Sequence, residues 1–224
     1  MKFRDMPYER VDYDRAKEEI LRLTQKVKDA ENPEELWAVH QEYYRVYKGV
    51  ADAMTIAHIR HDADVTDEFY NGEQDYYDEI GPKLSNLLTG YQRAIFESPC
   101  RPFLEEKIGK VAFVSIENAM KSVDESIIGL MQAENALTTE YNKLIASAQI
   151  PFDGQVLNLS LMRPYLTASD RSVRRAAWKA YSDYFLTVAE KLDEIYDRLV
   201  KNRTAQAKAL GYENYIQLGY YRMN

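Results

Sequence analysis

Thr167-Ala168-Ser169-Asp170-Arg171-Ser172-Val173-Arg174-Arg175-Ala176-Ala177-Trp178 opens the longest periodic stretch of the sequence. Its first four residues, Thr167 to Asp170, offer short acceptor side chains suited to capping a helix start. From there Val173, Ala177, Tyr181, Tyr184, Val188, Leu192, Ile195 and Leu199 recur at three- and four-residue steps, which places them on one helix face. The pattern continues to Leu210, and Gly211 then supplies the left-handed conformation that ends helices. An uninterrupted helix of this length argues for a mainly α fold.

The same period runs back toward the N-terminus. Ala16, Ile20, Leu23 and Val27 form a stripe on a first helix opened by Asp12 or Tyr13. Asn32-Pro33-Glu34-Glu35 starts a second: Asn32 caps, Pro33 fits the first turn, and Glu35 reaches back from three residues on. It is expected to run through Trp37, Tyr44, Val50 and Met54 to about His61, with a break at 64–66. A third helix carries Phe69, Tyr76, Ile80, Leu84, Leu87, Leu88, Tyr91 and Ile95, and Pro82 inside it removes one ladder donor and predicts a kink. Ser98 to Pro102 breaks the chain again. Leu104, Ile108, Val111, Val114 and Met120 then read as one periodic run, and Ile127, Ile128, Met131, Ala136 and Leu137 as another after an Asp124-Glu125 start. The period changes only at 145–150 and 156–159, which read as two short strands around the Asp153-Gly154 turn. A short helix at 213–218 follows Gly211. The expected architecture is a mainly α array of long antiparallel helices with one small β-hairpin near 145–159.

Composition agrees. The 224 residues include only 9 glycines and 7 prolines, too few for many tight turns. The net charge of −7 argues against a nucleic-acid partner, because phosphate backbones are repelled by most of such a surface. The single cysteine, Cys100, excludes an internal disulfide and a four-thiolate zinc site. Neither a signal peptide nor an 18-residue apolar run is present, so the chain reads as cytoplasmic, with no membrane partner.

Several catalytic signatures are missing: the Rossmann glycines, the P-loop, the Gly-x-Ser-x-Gly elbow and the Glu-x-x-His pair of di-iron bundles. His40 begins like a zincin helix, but Gln41 stands where a Glu would polarise water and Tyr44 where a second His would complete the ligand pair. His58 and His61 share a helix face with Asp62 close by and Asp64 beyond; they read either as a divalent-metal pair or as a helix end. Cys100, between two prolines, reads as an inert thiol on a turn. Arg171, Arg174, Arg175 and Lys179 place positive charge where the helix dipole disfavours it, and are expected to be offset by intramolecular partners.

The segment from Asp170 to Tyr181 resembles a single HEAT-type helix. It also resembles the helical N-terminal region of the M3 family of zinc metallopeptidases, the oligoendopeptidase F-like group. The second likeness extends further: to Ile59-Arg60-His61 with Thr66-Asp67-Glu68-Phe69-Tyr70, to Lys143-Leu144-Ile145-Ala146-Ser147-Ala148, to Asp193 through Val200, to Leu210-Gly211-Tyr212-Glu213-Asn214-Tyr215, and to Leu218 through Asn224. The resemblance implies the N-terminal part of a cytoplasmic oligoendopeptidase that hydrolyses short peptides, with this chain forming one wall of the substrate cleft. In that family zinc is held by a His-Glu-x-x-His helix and a later Glu, and the first Glu is the general base. None of these residues is in this sequence. No catalytic or metal-binding residue is therefore assigned, substrate-binding residues are unknown, and the chain alone is expected to bind no zinc and to be inactive.

The implied organisation is a helical region at 1–142, a hairpin and connection at 143–168, and, at 169–224, the long helix and the start of a region leading to a catalytic half. The other reading is a free-standing HEAT-like interaction module. Such a solenoid repeats about every 33–47 residues, and only one HEAT-like helix is found. A fragment of a larger enzyme also predicts an exposed apolar patch over 178–224, built from Trp178, Phe185, Leu186, Tyr212, Tyr215, Ile216, Leu218, Tyr220, Tyr221 and Met223. That patch would be covered by the remaining half or by self-association.

Overall fold

Most of the helices begin at a side chain that accepts a hydrogen bond from the backbone of the first turn. Asp12 accepts from Arg15 N at 3.0 Å, Asn32 from Glu35 N at 2.9 Å, Asp67 from Tyr70 N at 3.1 Å, Asn158 from Leu161 N at 2.8 Å and Asp170 from Ser172 N at 2.7 Å. These bonds satisfy donors that have no partner inside the helix. Glu35 also completes its capping role, accepting from Glu31 N at 3.0 Å. The structure is a computed structural model and describes residues 5–223.

The elements run α1 (Tyr13–Asp29), α2 (Pro33–Ala63), α3 (Glu68–Glu97), α4 (Arg101–Ile108), α5 (Lys110–Ser122), a 3₁₀ turn (Glu125–Ile127), α6 (Ile128–Ala146), β1 (Ile150–Phe152), β2 (Gln155–Leu157), α7 (Leu159–Leu166), α8 (Arg171–Ala209) and α9 (Tyr215–Met223). Among the described residues the fold is 81% helical with one antiparallel two-stranded sheet, the mainly α class expected. Its register pairs Ile150 with Leu157 and Phe152 with Gln155. α3 packs on α1, α2, α5 and α6, and α8 packs on α6, α7 and β1. The larger apolar core joins α1 to α5 through residues such as Ile20, Leu23, Leu36, Leu84, Tyr91, Leu104 and Phe113. A smaller one gathers Ile150, Leu157, Met162 and Ala177 where the hairpin and α7 meet α8.

Some expectations shift. The first strand begins at Ile150, because 145 and 146 continue α6 and the Ser147 N–H bonds Lys143 O at 3.0 Å. The connection expected after the hairpin contains α7, which Asn158 caps even though Pro164 lies inside. The run from Leu104 to Met120 is two helices divided at Gly109, whose φ of 93° breaks the phase. Phe113 and Ile116 therefore face inward, while Val111 and Val114 are exposed. On α2 it is Tyr43 that is buried and Tyr44 that is exposed. α9 starts at Tyr215 and runs further than the helix expected at 213–218. α3 passes through Pro82 without interruption.

The turn residues Asp153 and Gly154 both have positive φ, 51° and 70°, as a two-residue hairpin turn of the primed type requires. Gly154→Val puts a β-branched side chain into the left-handed region and is expected to cost about 1–2 kcal/mol. Chemical denaturation checks this; an unchanged midpoint contradicts the turn's role.

Candidate functional site

Along α3, Gln74, Tyr77, Asp78, Gly81, Pro82 and Ser85 follow the three- and four-residue steps of one helix face. That face is the floor of a groove. Met54, Thr55 and His58 of α2 form one side, and Met131, Glu134, Asn135, Thr138, Thr139 and Asn142 of α6 the other. The cavity is about 540 Å³. Gly81 keeps the floor low: a Cβ there would touch Met54 Cε at 3.6 Å and Asn135 Nδ2 at 3.9 Å.

The floor is tied to the α6 wall by polar bonds. Thr139 Oγ1 donates to Asp78 Oδ2 at 2.6 Å, and Gln74 Nε2 donates to Asp78 Oδ1 at 2.8 Å. Burial pushes the Asp78 carboxyl above its ordinary value, a shift those two bonds oppose. Pro82 has no N–H to give the carbonyl four residues back, and Asn135 Nδ2 reaches that Asp78 oxygen at 3.3 Å. Gln132 Nε2 donates to the adjacent Glu79 oxygen at 2.7 Å. Asn135→Leu leaves the Asp78 carbonyl without this donor and is expected to cost about 1–2 kcal/mol in a denaturation series. No change would show that water serves equally well.

Glu134 joins the groove to the C-terminal helices. It accepts from Arg203 Nε at 2.6 Å and Gln206 Nε2 at 2.8 Å on α8, and from Arg222 Nη1 at 3.0 Å on α9. Burial raises its carboxyl, but the bonds from Arg203 and Gln206 and the charges of Arg222 and Arg203 outweigh it and hold the group below the ordinary range. Gln206 is fully buried in this joint.

A second polar joint holds the N-terminal strap. Glu73, buried on α3, accepts from the Tyr8 hydroxyl and from Arg10. Val11 N donates to Tyr77 Oη at 3.1 Å, and Tyr76 Oη donates to Val11 O at 2.7 Å.

The residues singled out from sequence are dispersed. His40 is partly buried in a column with Trp37 and Tyr43, its Nδ1 3.2 Å from the Tyr91 hydroxyl, and burial lowers its pKa. His58 Nδ1 lies 3.2 Å from Gln74 Oε1 and His58 Nε2 3.5 Å from Asp62. His61 is buried, with Nδ1 3.1 Å from Asp62 and Nε2 without a hydrogen-bond partner among the described residues. Asp64 N caps the helix end on Arg60 O and His61 O, while the Asp64 side chain accepts from Thr66. Cys100 is the residue before α4, partly buried against the larger core. Of the basic group, Arg174 bonds the carbonyls of Ala168 and Ser169 and Lys179 pairs with Asp183 at 2.5 Å, while Arg171 and Arg175 are exposed. Among the described residues no group of three or more His, Cys, Asp or Glu is placed to hold a metal ion. Sequence reasoning missed Gln74, Asp78, Asn135 and Thr139. The only sign of the first two was a polar pair one turn apart beside the inward-facing Tyr77.

Half of the ten side chains expected in the apolar patch are exposed, while Phe185, Tyr212, Tyr215 and Tyr221 are half-buried. Trp178, Leu186, Tyr196 and Val200 on α8, and Ile216, Tyr220 and Met223 on α9, are exposed. Leu218 is instead buried, and Tyr212 anchors to Lys121 O at 2.7 Å. Among the described residues no helix is long and apolar enough to cross a membrane.

Comparison with protein families matches residues 3–123 to the Peptidase M3 N-terminal domain. No curated protein matches the chain. Three solved structures do. PZ peptidase A with an inhibitor superposes at a TM-score of 0.95 and 39% identity, covering 99% of this chain and 40% of its own. A structure assigned as oligoendopeptidase F gives 0.96 and 35% identity over 100% of this chain and 40% of its own. One assigned as oligoendopeptidase F from Bacillus anthracis gives 0.95 and 37% identity over 100% and 41%. The chain thus spans about two-fifths of the length of each of these structures.

Proposed function

The chain belongs to the M3 peptidase family, whose N-terminal domain it carries, and on that premise we propose that it is the front part of a zinc-dependent oligoendopeptidase and forms one wall of the cleft that admits short peptides. The observation that carries this reading is the superposition of the whole chain on peptidase structures more than twice its length. The solenoid alternative has no such support.

The zinc centre does not fit this chain. Its sequence has no His-Glu-x-x-His, and among the described residues no group of three or more His, Cys, Asp or Glu side chains is placed to hold a metal ion. Metal and general base are assigned to the remainder of the whole enzyme. The exposed apolar side chains of α8 and α9 are the face on which that remainder packs, since patches of this kind mark interaction surfaces. Self-association through 178–224 is the competing use of the same face. The proposed organisation is a helical region at 1–142, a hairpin connection at 143–168, and at 169–224 the segment leading to the catalytic half. A cytoplasmic location belongs to the same proposal.

The test is metal analysis after dialysis against a weak chelator, together with cleavage of a quenched fluorescent peptide. The 224-residue chain is expected to retain no stoichiometric zinc and to cleave nothing. Zinc-dependent cleavage by this chain alone would overturn the assignment of chemistry to another part.

A further inference from the structure

We propose that the groove over α3 is a docking site for the positively charged amino end of a short peptide, with the Asp78 carboxylate as the anchor for its ammonium group. The inference rests on the peptidase reading for its substrate class, but its geometry lies wholly within this chain.

Asp78 is a half-buried carboxylate whose named partners, Gln74 Nε2 and Thr139 Oγ1, are both neutral donors. Among the described residues no Lys or Arg forms an ion pair with it. Lys143, the one cation of α6, reaches Asp75 at 3.8 Å instead. Asp75, Glu79 and Glu140 line the cavity on the other side of Asp78 and Thr139, and there they engage Lys143, Lys83 and Lys191, so these cations are committed to other carboxylates. A carboxylate removed from water without a cation is costly, and an arriving ammonium would relieve that cost. Each Asp78 oxygen also has a lone pair left after its single bond.

The rest of the groove suits a peptide backbone. From Gln74 to Ser85 the floor rises about 16 Å at the helical repeat, the span of about five residues of extended chain. Asn135, Thr138 and Asn142 bring amide and hydroxyl groups to one wall, and Thr55 and His58 bring polar groups to the other. Such groups can exchange hydrogen bonds with main-chain N–H and C=O irrespective of side-chain identity.

The experiment compares pentaalanine amide with its N-acetylated form, binding to the 224-residue chain followed by NMR titration or calorimetry. The free amine is expected to bind about tenfold more tightly, the usual weight of a charge-assisted hydrogen bond. Asp78→Asn, shown to be folded by circular dichroism, is expected to abolish the difference. Equal binding of the two peptides, or binding of neither at millimolar concentration, overturns the proposal. Discrimination that survives in folded Asp78→Asn overturns it as well, because the ammonium is then held elsewhere. The peptide-side comparison decides the matter even if Asp78→Asn does not fold. Cleavage of oligopeptides by the whole enzyme separates the two readings. Cleavage without discrimination by this chain removes the docking site and leaves the peptidase reading. Discrimination without cleavage does the reverse.

Discussion

Replacing Glu73 with Ala is expected to destabilise the chain by about 3 kcal/mol and to free the N-terminal strap. The side chain is 1% exposed, and it accepts bonds from Tyr8 and Arg10. Breaking a buried pair by removing one partner typically costs about 3–5 kcal/mol; the low end applies because Arg10 is half exposed and recovers water. Tyr8, packed edge-on against Phe69 and Tyr70, keeps only the Tyr77 hydroxyl at 3.2 Å among its named partners. Limited proteolysis should cut Glu73→Ala within residues 5–11 under conditions that leave the unaltered chain intact. Burial raises the Glu73 carboxyl, but the bonds from Arg10 and Tyr8 outweigh it and set the group below its ordinary 4.5. The strap's contribution is therefore complete above the unfolded carboxylate value and is lost as pH falls through the lowered one. Proteolysis of the unaltered chain should accelerate on acidification past that point, and Glu73→Ala should show no such dependence.

Glu134→Ala has the second largest expected effect, about 2–3 kcal/mol, or a melting shift of about 5–10 °C for a domain of this size. It removes the shared acceptor of Arg203, Gln206 and Arg222. Arg203 is 40% exposed and can be rehydrated, whereas Gln206 is fully buried and keeps only Asn202 and Arg222 as partners. The damage should be local, so that α9 loses amide protection while α1–α3 keep theirs. Uniform loss of protection would show that α9 is not held chiefly through this carboxylate.

The parts of the fold legible in the sequence were those decided by local chemistry. Asn32 and Asp170 announced helix starts because capping involves only the next three residues. Asp153-Gly154 announced the hairpin because few other pairs tolerate two positive φ angles in succession. Gly109 was missed because the apolar run from Leu104 to Met120 reads as one helix unless the break in phase is seen. α7 was missed because Pro164 and its eight-residue length hide a helix that Asn158 and the smaller core stabilise. The groove was not legible for a different reason. Gln74 and Thr139 lie 65 positions apart, and only the packing of α6 on α3 brings them to Asp78. The exposed face of α8 was legible in part, since Trp178 and Leu186 lie off the buried stripe. The inward rotation of Leu218 depends on α9 docking against α5 and α8.

If this chain is the front of a longer M3 peptidase, as proposed, the zinc chemistry lies elsewhere in the same polypeptide. Sequencing the reading frame downstream of Asn224 tests it most directly. The predicted result is an in-frame His-Glu-x-x-His followed by a later Glu, which would supply the two imidazole ligands, the general base and the third ligand. A frame that closes without that motif would contradict the claim.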